Sequence, residues 1–266
     1  MGNIESCFRK SMHPLLIAFL VSGDPDPQIG LEAARAVING GADILELGVP
    51  YSDPIADGRI IQRAHLRALS KGAGMDSTFA LVREIRRQTD IPVVLLLYYN
   101  LVMQRGVDRF YLEAKDAGVD GVIVVDMPPE ESGEALTSAR RAGIDEIFLV
   151  TETTSEERLR LILSMTDGFV YLVSSLGVTG VRETMPPKIS GLIARVKSAG
   201  SLPVALGFGI SGPEHAREAV LAGADGIIVG SAIVNRLEEH LNDPGSLFRN
   251  LQDFVSSIKG AMISAR

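Results

Sequence analysis

Gly41-Ala42-Asp43-Ile44-Leu45 is one copy of a phrase that returns along the chain: glycine, any residue, aspartate, then an apolar run. The other copies begin Gly118-Val119-Asp120, Gly143-Ile144-Asp145 and Gly223-Ala224-Asp225, and each follows an amphipathic stretch. Glycine suits a helix C-terminus because it enters the left-handed conformation without a Cβ clash. A short apolar run behind it reads as a strand buried on both faces. The phrase is a helix-to-strand joint, repeated.

Working outward from these joints, strands are expected near residues 15–21, 44–48, 92–98, 122–126, 147–150, 169–173, 203–207 and 226–230. Helices are expected between them, near 31–38, 60–69, 78–87, 159–163 and 216–221, each with charged residues on the face opposite its apolar stripe. Strict alternation implies a parallel sheet, and eight such units suit a closed (β/α)8 TIM barrel with extra short helices, one domain over residues 1–266. The rival architecture, an open doubly wound sheet, advertises Gly-x-Gly-x-x-Gly after its first strand. Here that turn is Ser22-Gly23-Asp24-Pro25-Asp26, which is no nucleotide loop.

With 46% hydrophobic and 22% charged residues, the composition is that of a globular enzyme, not of a disordered or fibrous chain. The net charge of −7 and the scattered Lys and Arg residues lack the footprint of a nucleic-acid binder. Cys7 is the single cysteine, so no internal disulfide forms, which fits a reducing cytoplasm. Met1, Gly2, Ser6 and Cys7 imitate a lipidation pattern, and Arg9 and Lys10 before an apolar run imitate a signal peptide. That run is short, has no small-residue cleavage site behind it, and makes better sense as the first strand. No other stretch approaches the length needed to span a membrane.

Active sites of barrels lie at the C-terminal ends of the strands. Glu46 stands inside the apolar run Ile44-Leu45-Glu46-Leu47-Gly48, where a buried carboxylate is costly unless bonded or neutralised. Alternation puts Ile44, Glu46 and Gly48 on one face; if that face is the barrel interior, Glu46 meets the substrate with a raised pKa. The competing account pairs it with an arginine as structure. Asp57 lies in the next loop, Tyr51 to Arg59, where both it and Asp53 also read as turn or N-cap residues. Its pairing with Glu46 favours function: two carboxylates in different environments divide acid and base roles.

Glycines follow three later strands: Gly177-Val178-Thr179-Gly180, Gly207-Phe208-Gly209 and Gly230-Ser231. Glycine lets backbone N–H groups approach a phosphate, and a helix N-terminus adds its dipole, so a phosphorylated substrate is expected. The lysines, Lys10, Lys71, Lys115, Lys188, Lys197 and Lys259, avoid strand ends, which leaves Schiff-base chemistry without a nucleophile. His13, His65, His215 and His240 are isolated, without ligand spacing, and read as surface or capping residues. Carboxylate acid–base catalysis on a small phosphorylated molecule is what remains.

Glu46-Leu47-Gly48-Val49-Pro50-Tyr51-Ser52-Asp53-Pro54 with Ala56-Asp57-Gly58 closely resembles the signature of the tryptophan synthase α subunit family. The resemblance extends to Ser22-Gly23-Asp24-Pro25, Tyr99-Asn100-Leu101-Val102, Gly177-Val178-Thr179-Gly180, Gly207-Phe208-Gly209-Ile210 and Gly230-Ser231-Ala232-Ile233-Val234. It implies a lyase that splits indole-3-glycerol phosphate into indole and glyceraldehyde 3-phosphate. Glu46 would protonate the indole ring and Asp57 would accept its N–H. Tyr171 matches a family tyrosine near Glu46, although it reads equally as a core aromatic. Thr179, Gly180, Gly209, Gly230 and Ser231 would bind the phosphate end, with Phe208 packed nearby.

The resemblance also implies no cofactor in this chain and a pyridoxal-phosphate β subunit as partner in an α2β2 complex, met by Tyr51 to Asp57, Asn100 to Met103 and Met127-Pro128-Pro129. Two departures bear on loop closure: Arg59 stands where the family commonly has proline, and Ser175-Leu176 precede Gly177 where it commonly has an arginine or hydroxyl residue. Three other readings stay open. They are another phosphosugar barrel of the tryptophan or histidine pathways, an activating subunit with little catalysis of its own, and a free-standing indole lyase.

Overall fold

The computed structural model describes residues 3–173, 188–207, 209–241 and 243–265. Its strands are β1 Leu15–Val21, β2 Ile44–Gly48, β3 Val93–Leu97, β4 Gly121–Val124, β5 Asp145–Glu146, β6 Leu149–Thr151, β7 Val170–Val173, β8 Val204–Gly207 and β9 Gly226–Val229. The helices among the described residues are α1 Asn3–Lys10, α2 Pro27–Asn39, α3 Arg59–Ser70, α4 Met75–Arg86, α5 Tyr99–Arg105, α6 Val107–Ala117, α7 Gly133–Ala142, α8 Glu156–Met165, α9 Lys188–Ala199, α10 Pro213–Leu221, α11 Ser231–Glu239 and α12 Pro244–Ile263. All paired strands are parallel, in the order β5-β4-β3-β2-β1-β9-β8-β7-β6.

One expected strand divides in two. Residues 147–150 were read as a single element, but β5 pairs with β4 and β6 pairs with β7. The stretch between them closes the ring. The Ile147 amide donates to Val122 and the Tyr171 amide to Phe148, so this segment is bonded on both flanks while it changes neighbours. The result is the (β/α)8 barrel, with its fifth staves in two short pieces.

The repeated phrase does what its glycines suggest, and its aspartates do more. Gly41, Gly118, Gly143 and Gly223 all have positive φ, and Gly118 and Gly143 are left-handed helix caps. Asp43 accepts the Leu16 amide at 2.7 Å, Asp120 that of Val93 at 2.9 Å and Asp225 that of Val204 at 2.9 Å. Each aspartate therefore ties the start of its own strand to the start of a neighbour, and Lys259, Arg86 and Lys197 respectively balance its charge. Asp145 is the exception: its Oδ2 is buried with no partner among the described residues, and burial first, then nearby Asp167, raises its pKa to about 6.

Two apolar layers result from the period-2 alternation of the strands. Leu45, Leu47, Val93 and Leu95 pack outward under the helices, while Ile17, Phe19, Ile44, Val94, Tyr171, Ala205 and Ile228 fill the barrel. Helix α1 closes the N-terminal end. Ile4 is fully buried where Gly121 has no side chain, and Phe8 lies over Gly226. A segment that imitates a leader in sequence is thus a plug and a strand, and the C-terminal end of the barrel is left for chemistry. Among the described residues no helix is long and apolar enough to cross a membrane.

Candidate active site

Glu46 sits in the inner layer, level with Phe19 on β1 and Val94 on β3. It is fully buried, and neither carboxylate oxygen has a hydrogen-bond partner among the described residues, so the structural pairing with an arginine is not what holds it there. Burial first, and the nearby Asp57 carboxylate second, push its pKa up to about 8. Glu46 is neutral near pH 7, with a proton to give.

Asp57 comes from the β2–α3 loop, where turns close with Ile55 N–H to Asp53 and Asp57 N–H to Pro54. Asp53 is a turn residue, as its sequence setting suggests. The Tyr98 hydroxyl, one residue beyond β3, donates to Asp57 Oδ2 at 2.8 Å and accepts the Ala56 amide at 3.0 Å. Gln62 of α3 donates to the Asp57 carbonyl at 2.9 Å. Tyr51 stacks on Tyr98 with ring centres 4.8 Å apart, so the start of the loop leans on the residue that grips its end.

Aromatic walls stand beside the two carboxylates, and glycines at strand ends make room for them. A Cβ on Gly48 would lie 2.8 Å from Phe19 Cζ, and one on Gly230 would lie 3.4 Å from Phe19 Cδ1. A Cβ on Gly207 would lie 2.4 Å from Tyr171 Cε1. Tyr171 is 6% exposed, and burial, then Glu46, then Asp57 raise its phenol well above the ordinary value. It belongs to the core and to the site at once. Gly207, read from sequence with the phosphate glycines, instead admits this ring.

Gly209 follows β8 with φ +83°, a conformation that disfavours any side chain. Gly230 is the N-cap of α11, its carbonyl accepting from Ile233 and Val234, and Ser231 opens the helix, exposed. The Ser231 and Ala232 amides precede the first bonded amide of α11, so this N-terminus presents two donors and a positive dipole end, and Gly209 lies in the loop after β8, the strand that neighbours β9. Thr179, Gly180 and Phe208 lie outside the described residues, as do Ser175 and Leu176.

Two expectations need correction. His65 is neither a surface nor a capping residue: it is 1% exposed on the inward face of α3, with Ile61, Ala64 and Ala68, and its Nε2 lies 3.5 Å from Asp57 Oδ2. The spacing 61, 64, 65, 68, one face of a helix, is the signal in the sequence that could have placed it inward. Of the surfaces expected to meet a partner, Ile55 and Met103 are exposed, at 86% and 55%, but Met127 and Pro129 are buried. Tyr98 and Phe19 escaped the sequence reading because each ends or lines an apolar run.

A closed α/β barrel with a neutral buried glutamic acid, a tethered aspartate and a helix N-terminus at its open end defines a barrel enzyme of the acid–base class. The family model described as tryptophan synthase alpha chain matches residues 6–263. The chain is 53% identical to the tryptophan synthase alpha chain of Methanoregula boonei, covering 98% of each, and 43% identical to that of Arabidopsis thaliana, covering 94% of this chain and 90% of that one. The solved tryptophan synthase subunit alpha of Legionella pneumophila superimposes with a TM-score of 0.92 at 33% identity over 99% of each chain. A chain from the tryptophan synthase complex of Pyrococcus furiosus gives 0.85 at 40% identity, covering 94% of this chain and 100% of that one. The chain belongs to the tryptophan synthase alpha chain family.

Proposed function

We propose that the chain cleaves indole-3-glycerol phosphate by retro-aldol chemistry, Glu46 giving and then retaking a proton while Asp57 steadies the ring nitrogen. Neutral Glu46 protonates C3 of the indole, and Asp57 accepts the N–H of the ring as it becomes cationic. The Glu46 carboxylate then takes the proton of the side-chain hydroxyl next to the ring. The carbon–carbon bond breaks, its electrons return to the ring, and indole and glyceraldehyde 3-phosphate leave with Glu46 protonated as at the start. No proton is gained or lost over the cycle.

The observation that carries this reading is Glu46 itself, fully buried, unpartnered and with a pKa of about 8. Phe19 and Tyr171 offer flat apolar faces to a bicyclic ring. The donors of Gly209, Gly230 and Ser231 suit the phosphate end, with Thr179, Gly180 and Phe208 assigned there from the family resemblance. The same family logic makes a β subunit carrying pyridoxal phosphate the partner, in an α2β2 complex, and Ile55 and Met103 are exposed apolar residues of the kind such a contact uses.

The test is indole release from indole-3-glycerol phosphate by the purified chain, alone and with a pyridoxal-phosphate β subunit. Slow release that rises with the partner and disappears in Glu46→Gln is the expected result. Indole from neither wild-type condition would remove the lyase reading and bring the other phosphosugar-barrel and activating-subunit readings forward.

A further inference from the structure

We propose that His65 is the positioning residue that aims the Asp57 carboxylate, a role that rests on the lyase reading above. The imidazole lies between the two ends of the β2–α3 loop. At one end the Tyr51 amide donates to Nδ1 at 3.3 Å; at the other Nε2 faces Asp57 Oδ2 at 3.5 Å. The ring packs over Gly48, two residues beyond Glu46 on the same inward face: a Cβ there would be in ordinary contact with His65 Cε1, at 3.7 Å.

The contact with Tyr51 fixes the proton. A backbone amide is only a donor, so Nδ1 must accept, and the neutral ring carries its hydrogen on Nε2. That hydrogen has no formed bond among the described residues, in a side chain that is 1% exposed. A buried donor without a partner is costly, and a core histidine kept only for packing has both nitrogens satisfied. Here the unsatisfied donor faces one carboxylate. The gap of 3.5 Å exceeds a formed bond by about 0.5 Å, and catalytic hydrogen bonds commonly tighten to that extent when substrate is bound.

The geometry also says which oxygen is aimed. Tyr98 and His65 both address Oδ2, so Oδ1 is the oxygen left to accept the ring N–H. Among the described residues, the charged and titratable groups facing this pair are few. His65 meets Asp57 from the loop and Asp24 from the β1–α2 turn, but Asp24 is already held by two hydrogen bonds from Arg67. Asp57 meets Glu46 of β2, Tyr98 beyond β3, Tyr171 of β7 and His65 of α3. His65 is thus the one ring nitrogen that both donates and reaches the carboxylate from the helix behind the loop.

Asparagine and glutamine separate the two contacts, because an asparagine amide mimics Nδ1 and a glutamine amide reaches the position of Nε2. Full-length wild type, His65→Asn and His65→Gln are compared for indole release between pH 5 and 9, with thermal melts to establish folding. In His65→Asn, kcat falls about tenfold with little change in KM, as expected for loss of one charge-assisted hydrogen bond. His65→Gln stays within about threefold of wild type, on the same hydrogen-bond scale.

A wild-type kcat in His65→Asn, or equal damage in the two variants, overturns the proposal. A second readout needs no substrate: nitrogen-15 NMR of the imidazole is expected to show the proton on Nε2 and a shift of that nitrogen in Asp57→Asn. A proton on Nδ1, or no response to Asp57→Asn, overturns the positioning role whatever the wild-type enzyme does with indole-3-glycerol phosphate. Failure of wild-type cleavage with the NMR result intact instead removes the reaction and keeps the contact.

Discussion

The phenol of Tyr98 holds Asp57 twice, donating to its Oδ2 at 2.8 Å and accepting the amide of the preceding Ala56 at 3.0 Å. One hydroxyl from the end of β3 therefore sets both the backbone and the carboxylate of a loop that belongs to β2. Tyr98→Phe removes the two bonds and leaves the ring stacked on Tyr51. We expect kcat to fall about tenfold and the fold to lose roughly 1–2 kcal/mol, the net value of one or two hydrogen bonds. Steady-state kinetics and a chemical denaturation curve check this, and an unchanged kcat would show that Asp57 is held well enough by the loop turns alone.

Glu46 makes stability depend on pH in a direction opposite to a salt-bridged carboxylate. Its pKa is about 8 in the fold against 4.5 for the free side chain, so the unfolded chain ionises it first as pH rises. The stability is complete below about pH 4.5, falls across the window up to about pH 8, and is flat above it. Glu46→Gln lacks that fall. Its stability should gain on wild type as pH rises from 5 to 9, by an amount on the order of 2–3 kcal/mol at neutral pH, read as a widening gap in melting temperature. Glu146, also at about 8, and Asp145 at about 6 are common to both proteins and cancel in the difference. The same protonation predicts that kcat/KM declines above about pH 8, where Glu46 can no longer act as the acid. A pH-independent gap in melting temperature would contradict the raised pKa.

The barrel was legible because a closed sheet buries both faces, so its strands stand out as apolar runs and Glu46 stands out within one of them. The break between β5 and β6 was not legible. Ile147 and Phe148 continue the apolar run, and nothing in the residues says that the segment changes neighbours there. Asp57 was legible only by its partnership with Glu46, since its own surroundings suit a turn. His65 carries no spacing that marks a ligand or a catalytic pair and reads as a surface or capping residue, although the helical face 61, 64, 65, 68 could have placed it inward. Its meaning depends on Tyr51 and Asp57, which only the folded loop brings to the two sides of one ring.

Arg67 ties three elements of the open end, with two hydrogen bonds to buried Asp24 in the β1–α2 turn and a third to Glu238 of α11, which also pairs with Arg63. Burial is the largest influence on Asp24 and outweighs this pairing, raising its pKa. Arg67→Met keeps the length of the side chain and removes the charge, leaving Asp24 to be buried alone. Stability should drop by about 2–4 kcal/mol, the scale for breaking a buried pair from one side. Asp24→Asn in the same background should recover part of the loss, because it removes the stranded charge; a double variant no better than the single one would argue against the pairing as the cause.

Gly207 is where Tyr171 leans, its ring 2.4 Å from the position a Cβ would take. Backbone yields little there, because Gly207 is paired with Val173 of β7 and the two residues before it are paired with β9. Gly207→Ala must therefore turn the ring of Tyr171 toward the carboxylates or push it off its rotamer, at a cost of about 1–3 kcal/mol. Activity should fall more than stability, with Tyr171→Phe far milder than Gly207→Ala. If the two variants were equally impaired, the hydroxyl and not the placement of the ring would be what matters.

Ser231 stands exposed at the first position of α11, with Gly230 as its cap and Gly209 in the loop that follows the neighbouring strand β8. A phosphate bound there would take the first-turn amides and this hydroxyl, while the reacting carbons lie over Glu46, so the two ends of the substrate are served by different groups. Ser231→Ala should raise KM about three- to tenfold with kcat nearly unchanged, the pattern of binding energy that is equal in ground and transition states. Inorganic phosphate should compete with substrate in wild type and compete less well in the variant. An unchanged KM, with unaltered competition by phosphate, would place the phosphate on other donors and remove Ser231 from the site.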